Sequence, residues 1–326
     1  NLHKCLLDRA VELGAKIQVN ARVVDVRIAG PTAEQATVVL GSGEEIVTDL
    51  VVGADGINST LREIFLGRPD PPTPTGDLAY RLLLSTAEML KDPELAPFVN
   101  EPQVNYWLGP DAHAVNYVLR GGKLFNMVLL VPDDMPVGGA NTLEGNVEEM
   151  RALYKDWDPR IPKLLALCES VYKWRLQIRV GMDSWSHPSG TFTLLGDAVH
   201  ATLPYLASGA GMCLEDAAVM GELFSRAPNP RIPEVKKQLL DIYEQCRKER
   251  TEMVVKRGNL QQYLYHLHDG PEQEERDRKI REKEEGEALA WRDSGLAPRL
   301  LGYQVELDVS RSLGSLVSCF PLLTLV

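Results

Sequence analysis

The alternation of apolar and polar positions begins with a helix. "NLHKCLLDRAVELGA" puts Leu2, Leu6, Ala10 and Leu13 on one stripe at helical spacing, with Gly14 as the stop. A helix starting at residue 2 carries the expectation that further structure precedes it. The next runs, "KIQV" (16–19), "ARVVDVRI" (21–28), "ATVVL" (36–40) and "IVT" (46–48), alternate well enough for a half-exposed meander. "LVVGA" (50–54) is continuously apolar and predicts a strand buried on both faces. The Pro- and Gly-rich "GRPDPPTPTGD" (67–77) marks a boundary or crossover. Four strand-like runs follow at 78–85, 103–109, 112–120 and 124–131, the last two joined through "GGK", and they predict a separate, mostly antiparallel sheet. Residues 143–170 look helical, and "YKWRLQI" (172–178) and "TFTLLGDA" (191–198) return as strands. "CLEDAAVMGELFSRA" (213–227) and the long stretch 234–265 read as helices. The mixed-charge run 271–293 reads as a solvated helix. The last fifteen residues, 312–326, are apolar but shorter than the roughly 20 that span a bilayer as a helix. A docked tail is expected there, with a membrane-surface anchor as the alternative.

Composition narrows the partners. With 326 residues and 44% hydrophobic content the chain can fill one large core or two modest ones. A net charge of −11 argues against a nucleic-acid surface and toward small-molecule ligands. Five scattered cysteines (5, 168, 213, 246, 319) form no Cys-x-x-Cys pair. They are expected to be reduced, in the cytoplasm.

Two segments carry chemistry. In "DLVVGADGINSTLRE" (49–63), Gly53 and Gly56 bracket a turn after a strand, Asp55 lies between them, and Ser59 and Arg62 follow. Small residues let backbone approach a ligand, and the carboxylate and guanidinium can meet polar ligand groups. They can equally form a capped turn with an Asp-Arg pair. In "TFTLLGDAVHATLPYLASGAGMCLEDA" (191–217), Asp197 beside Gly196 ends a strand, placed to accept hydrogen bonds from a polyol. The amides near Gly209, Ala210 and Gly211 open a helix whose positive end favours negative charge, and Pro204 stiffens the approach. The plainer alternative is a capped loop with turning glycines. A metal at Asp197 and His200 lacks further ligands of suitable spacing, so no metal site is expected.

Together these segments resemble the group A FAD-dependent aromatic monooxygenases, of the salicylate hydroxylase and para-hydroxybenzoate hydroxylase type. Asp49, Gly53, Ala54, Asp55, Gly56, Ser59 and Arg62 match the family's D-x-x-x-G-A-D-G-x-x-S-x-x-R pattern, which contacts FAD and the nicotinamide donor. Gly196 and Asp197 match its Gly-Asp motif for the ribityl and pyrophosphate region, and Pro204 and Ala207 to Gly211 look like the segment at the reactive face and pyrimidine edge of the flavin. The family's G-x-G-x-x-G turn is absent and would lie upstream of residue 1. The chain is then part of a longer protein or a degraded relative.

The resemblance implies an α/β fold: a Rossmann-like FAD-binding domain, incomplete at the N-terminus (1–66 and 171–265), an inserted antiparallel substrate-binding sheet (67–170), and a C-terminal helical extension with an apolar tail (266–326). It implies an enzyme that consumes NAD(P)H and molecular oxygen and hydroxylates a small aromatic substrate through a flavin C4a-hydroperoxide, in secondary metabolism or aromatic catabolism. The alternative is a non-catalytic remnant that no longer holds FAD. His113 and Tyr117, four apart on one strand, share a face that suits a substrate cavity, with His113 as base and Tyr117 orienting the ring. Arg81 is a candidate for a substrate carboxylate. Tyr106 and Trp107 point to opposite faces, and Trp107 is taken as the cavity residue. Asn116 points away from His113, and His200 reads as a packing or loop-bonding residue.

Overall fold

The computed structural model describes residues 2–317, with side chains described through Gly314. The chain opens with helix α1 (Leu2–Glu12), followed by strands β1 (Val23–Ile28), β2 (Ala36–Leu40), β3 (Glu45–Thr48) and β4 (Val51–Gly53), then helix α2 (Thr60–Leu66). The central portion is β5 (Thr73–Ser85), the short helices α3 (Thr86–Met89) and α4 (Pro97–Asn100), β6 (Asn105–Gly109), β7 (Ala112–Leu119), β8 (Leu124–Pro132), β9 (Thr142–Gly145), α5 (Val147–Leu153), α6 (Arg160–Ala166) and β10 (Val171–Ile178). The remainder is β11 (Phe192–Leu194), α7 (Asp197–His200), a 3-10 turn at Pro204–Leu206, α8 (Gly209–Arg226), α9 (Pro233–Tyr265), α10 (Pro271–Glu282), α11 (Ala297–Leu301) and α12 (Val305–Val317).

Three sheets result. β1, β2 and β3 form an antiparallel meander, and β4 pairs in parallel with β11. The third sheet has six strands in the order β6-β7-β8-β5-β10-β9, antiparallel throughout. One face of this large sheet packs Leu78, Tyr80, Leu82, Phe125, Met127 and Leu129 against α5 and α6 to form one core. A second core joins β4 and β11 to α8, α9 and α12 through Leu194, Val219, Leu223, Leu239, Tyr243 and Val309. The 33-residue α9 runs along both parts of the molecule, roughly 50 Å at 1.5 Å per residue. It buries Leu239, Tyr243, Cys246, Val254, Gln261 and Tyr265, a stripe at helical spacing.

Several expectations are corrected. The apolar stripe of α1 forms as a helix, but none of its residues is buried, with Leu2 62% and Leu13 70% exposed. "KIQV" is not a strand; Lys16 to Val19 are exposed and pair with nothing among the described residues. β4 is not buried on both faces, because Val51 and Gly53 are covered while Val52 is exposed. The stretch 143–170 is not all helical: Thr142–Gly145 is an edge strand, and its single core residue, Leu143, gives no periodic signal. The expected cofactor-binding portion takes in strand 172–178, yet β10 is hydrogen-bonded between β5 and β9 in the six-stranded sheet. The charged run is helical only to Glu282. Of the apolar tail, α12 docks through Val309 and Leu313, while residues 318–326, including Cys319, lie outside the described residues.

Candidate active site

Gly196 follows β11 with φ 66° and ψ −141°, a region open essentially to glycine alone, and this turns the chain into α7. A Cβ there would stand 2.9 Å from Cys213 Sγ, so α8 packs directly on the turn. The turn is pinned by Asp216 of α8, whose Oδ2 accepts the Gly196 amide at 2.9 Å and bonds His200 Nε2 at 2.6 Å. Its other oxygen accepts from Arg247 Nε of α9 at 2.7 Å, and both Asp216 and Arg247 are fully buried. Burial opposes the Asp216 charge, yet His200 and Arg247 hold its carboxyl below the usual range. This network keeps Asp197 at the mouth of the turn. The Asp197 carboxylate is half-buried, and among the described residues its one side-chain hydrogen bond is a long one from the Cys213 thiol at 3.8 Å. Cys213 is pushed up to about 11, first by burial and then by Asp197.

Facing this carboxylate's side of the molecule is the start of α8. Ser208 makes no side-chain cap, and Ala210 and Gly211 are exposed, leaving the first-turn amides open to a ligand. The preceding residues, Pro204 to Ala207, form the 3-10 turn, which ends with Ala207 in the left-handed region at φ 48°. Gly258 of α9 lets this segment approach the long helix, since a Cβ there would stand 3.1 Å from Thr202 Oγ1.

The 49–63 segment is built as a capped turn. Ser59 is the α2 N-cap and accepts from the Arg62 amide at 2.8 Å. Asp55 accepts from Ser59 Oγ and from the Leu61 amide, so its carboxylate orders the helix start. Gly53 permits close packing of β4, because a Cβ would fall 2.6 Å from Leu194 Cδ2. Arg62 does not pair with Asp55. It is buried and spans to Asp70 at 2.6 Å and to the carbonyls of Ala198, Val199 and Val180, clasping α2 to α7 and to the segment after β10. Gly56, at φ 79°, turns the chain between these groups.

The third element is a cavity of about 460 Å³ between the large sheet and the Pro204 segment. His113, Val115 and Tyr117 of β7 and Val128 and Leu130 of β8 form one wall; Pro204, Tyr205 and Ala207 form the opposite one, with Tyr106 and Trp291 beside them. Thus His113, Tyr117 and Pro204 meet in one place. Burial, and then His266, push His113 well below the ordinary histidine value, so its ring is neutral. Its edge contacts are Tyr205 and Tyr265, with centroids at 4.8 and 5.1 Å.

Two expected residues are elsewhere. Trp107 points toward the core, its ring tilted 60° against Phe98 with centroids 5.8 Å apart and under Arg160, and its neighbour Tyr106 takes the cavity position. The register explains the choice, since Tyr106 pairs with Val115 on the His113 face and Trp107 pairs with Ala114 on the other. Arg81 lies on an interior strand, exposed and bonded to Asn126 Oδ1 at 3.3 Å, outside the cavity lining. Asn116 is fully buried, bonded to Asn105, as its orientation away from His113 requires.

A family model described as an FAD binding domain matches residues 1–258. The chain is 40% identical over 93% of its length to the FAD-dependent monooxygenase OpS4 of Beauveria bassiana, spanning 70% of that protein. The chain belongs to the FAD-dependent aromatic monooxygenases. It is also 32% identical, over 89% of its length, to the 3-amino-4-hydroxybenzoate 2-monooxygenase of Streptomyces cremeus, spanning 68% of it. It spans 64% of the FAD-dependent monooxygenase atnJ of an Arthrinium species. A solved salicylate hydroxylase substrate complex superposes with a TM-score of 0.77 at 25% identity, over 95% of this chain and 74% of that one.

For an FAD-dependent monooxygenase the residues fit the group. A carboxylate with only a long thiol contact among the described residues suits ribityl hydroxyls, and open helix amides suit the electron-rich pyrimidine edge of a flavin. The sequence offers Tyr106 only as the alternative to Trp107, and it assigns no site role to Asp216, Arg247, Tyr205, Trp291 or His266. Asp216 and Arg247 carried a signal, two charges at apolar-stripe positions of their helices; the others are joined only by tertiary contact.

Proposed function

We propose that this chain is the catalytic portion of an aromatic hydroxylase that uses FAD, NAD(P)H and molecular oxygen on a phenolic small molecule. The observation that carries the reading is the single cavity where His113 and Tyr117 face Pro204 and Ala207, with the open α8 amides next along the chain. The relative named for 3-amino-4-hydroxybenzoate supports a hydroxylated benzoate or similar ring as the substrate class. The four cysteines described, Cys5, Cys168, Cys213 and Cys246, are free thiols, in keeping with a cytoplasmic enzyme, and among the described residues no helix is long and apolar enough to cross a membrane.

When bound, FAD supplies reduction at the expense of NAD(P)H and activation of oxygen for transfer to the ring. The chain's own residues do the rest. Asp197 and the amides of Gly209, Ala210 and Gly211 hold and orient the cofactor, and Pro204 and Ala207 set the plane against which the substrate lies. Val115, Val128 and Leu130 exclude water from the ring. Neutral His113 takes the phenol proton, which raises electron density on the ring carbons, and Tyr117 fixes the ring's orientation.

The test is isotopic. The chain, supplied with FAD, NAD(P)H, a panel of hydroxybenzoates and labelled oxygen gas, is expected to place one labelled oxygen on a ring carbon. Cofactor oxidation without labelled product, or none at all across the panel, overturns the reading.

A further inference from the structure

Two cavities meet at a pair of histidines. His113 lines the aromatic cavity, and its Nδ1 lies 2.7 Å from Nε2 of His266, the C-terminal cap of α9. His266 in turn lines an open hollow of about 590 Å³ on the other side, with Asp111, Gln262, Tyr263 and His268. Among the described residues the other ring nitrogen of His113, Nε2, has no protein partner. We propose that His266 is a proton conduit, passing the substrate's proton from His113 to solvent in this hollow. The inference rests on the reading of the His113 cavity as the seat of the phenol.

The charges around His266 suit a transient imidazolium. Asp77 Oδ2 of β5 stands 3.7 Å from its Nδ1 and also accepts the Tyr205 hydroxyl. Asp111, in the β6–β7 turn, donates its amide to the His266 carbonyl at 3.1 Å, and its carboxylate pairs with exposed His268 at 2.9 Å. His266 is also the C-cap residue of a 33-residue helix, its backbone amide donating to the Gln262 and Tyr263 carbonyls, and positive charge is favoured near that end. Burial lowers the proton affinity of both rings, more for His113, so neither traps the proton.

The step balances without redox change. The phenol O–H bond breaks, the phenolate keeps the electron pair, and the proton joins His113 Nε2. The proton on His113 Nδ1 passes to His266 Nε2, and His266 releases its Nδ1 proton to water in the hollow. A proton returning by the same route during turnover resets both rings.

The experiment follows 4-nitrophenol, whose ionised form is coloured, bound to the full chain with FAD present. After a rapid pH jump upward, phenolate appearance is timed in the wild type, in His266→Gln and in His266→Ala, with circular dichroism to check folding. Both variants are expected to slow ionisation by about tenfold or more while leaving the 4-nitrophenol Kd within about threefold. Added imidazole is expected to restore the rate in His266→Ala and not to change the wild type. Equal rates in wild type and variants overturn the conduit while leaving the cavity reading intact; no saturable binding of 4-nitrophenol overturns both. If neither variant folds, ring-nitrogen NMR of the wild type decides. Bound 4-nitrophenol is expected to shift the His113 and His266 nitrogens together across a pH titration, and an unresponsive His266 overturns the proposal.

Discussion

Asp216 accepts the Gly196 amide at 2.9 Å while its other oxygen holds Arg247 at 2.7 Å, so a helix carboxylate fixes the backbone turn that presents Asp197. Replacing Asp216 with Asn keeps the volume and removes the charge, leaving Arg247 buried without its full counter-charge. The expected cost is about 3–5 kcal/mol, the range for breaking a buried pair by removing one partner. Urea denaturation of Asp216→Asn against wild type measures it. A loss under about 1 kcal/mol would show that Glu215, which also contacts Arg247 at 2.6 Å, is sufficient.

The Gly196 geometry makes a separate prediction. Gly196→Ala introduces both an unfavourable φ and a contact at 2.9 Å with Cys213. A cost of about 1–3 kcal/mol is expected from the backbone alone. The double variant with Cys213→Gly removes the contact and not the strain, so it is expected to recover only part of the loss.

Acid should weaken the fold through His113. Its folded proton affinity is depressed by burial, so as pH falls below the ordinary value of 6.5 the unfolded chain takes up a proton that the native chain refuses. Stability contributed by the neutral ring is therefore full above that pH and declines below it. Denaturation midpoints measured from neutral pH downward are expected to fall more steeply for the wild type than for His113→Asn. Parallel profiles would show that His113 is not the titrating group.

Tyr106 and Trp107 should separate binding from stability. Trp107→Ala is expected to cost about 3 kcal/mol of stability, because the indole packs on Phe98 in the core. Tyr106→Ala is expected to weaken phenol binding with a smaller loss of stability, since Tyr106 lines the cavity beside Trp291. Reversal of the two effects would contradict the strand register.

Much of this architecture is legible in the sequence. The strand-like runs at 78–85, 103–109, 112–120 and 124–131 correspond to β5 to β8, and the turn chemistry of Gly121 and Gly122, both at positive φ, joins β7 to β8. The shared face of His113 and Tyr117 followed from strand parity. The cavity position of Tyr106 rather than Trp107 is not legible, because parity says which residues oppose each other, not which face meets the cavity; the Tyr106–Val115 register across the β6–β7 hairpin decides it. His266 and Tyr205 were illegible, being brought to His113 by α9 and the Pro204 turn from 153 residues away in the one case. Arg62 shows a further limit, because its pattern match is compatible with ligand contact while its donors are spent on Asp70 and three carbonyls.

One absorbance experiment tests most directly whether the arc from Gly196 to Gly211 presents a flavin to the His113 cavity. FAD is added to the purified chain, the excess is removed, and a phenol is titrated in. Retained flavin bands at near-stoichiometric yield that shift on saturable phenol binding, with both effects weakened in Asp197→Asn, are the predicted result. A chain that stays colourless, or a retained flavin spectrum indifferent to any phenol, would contradict it.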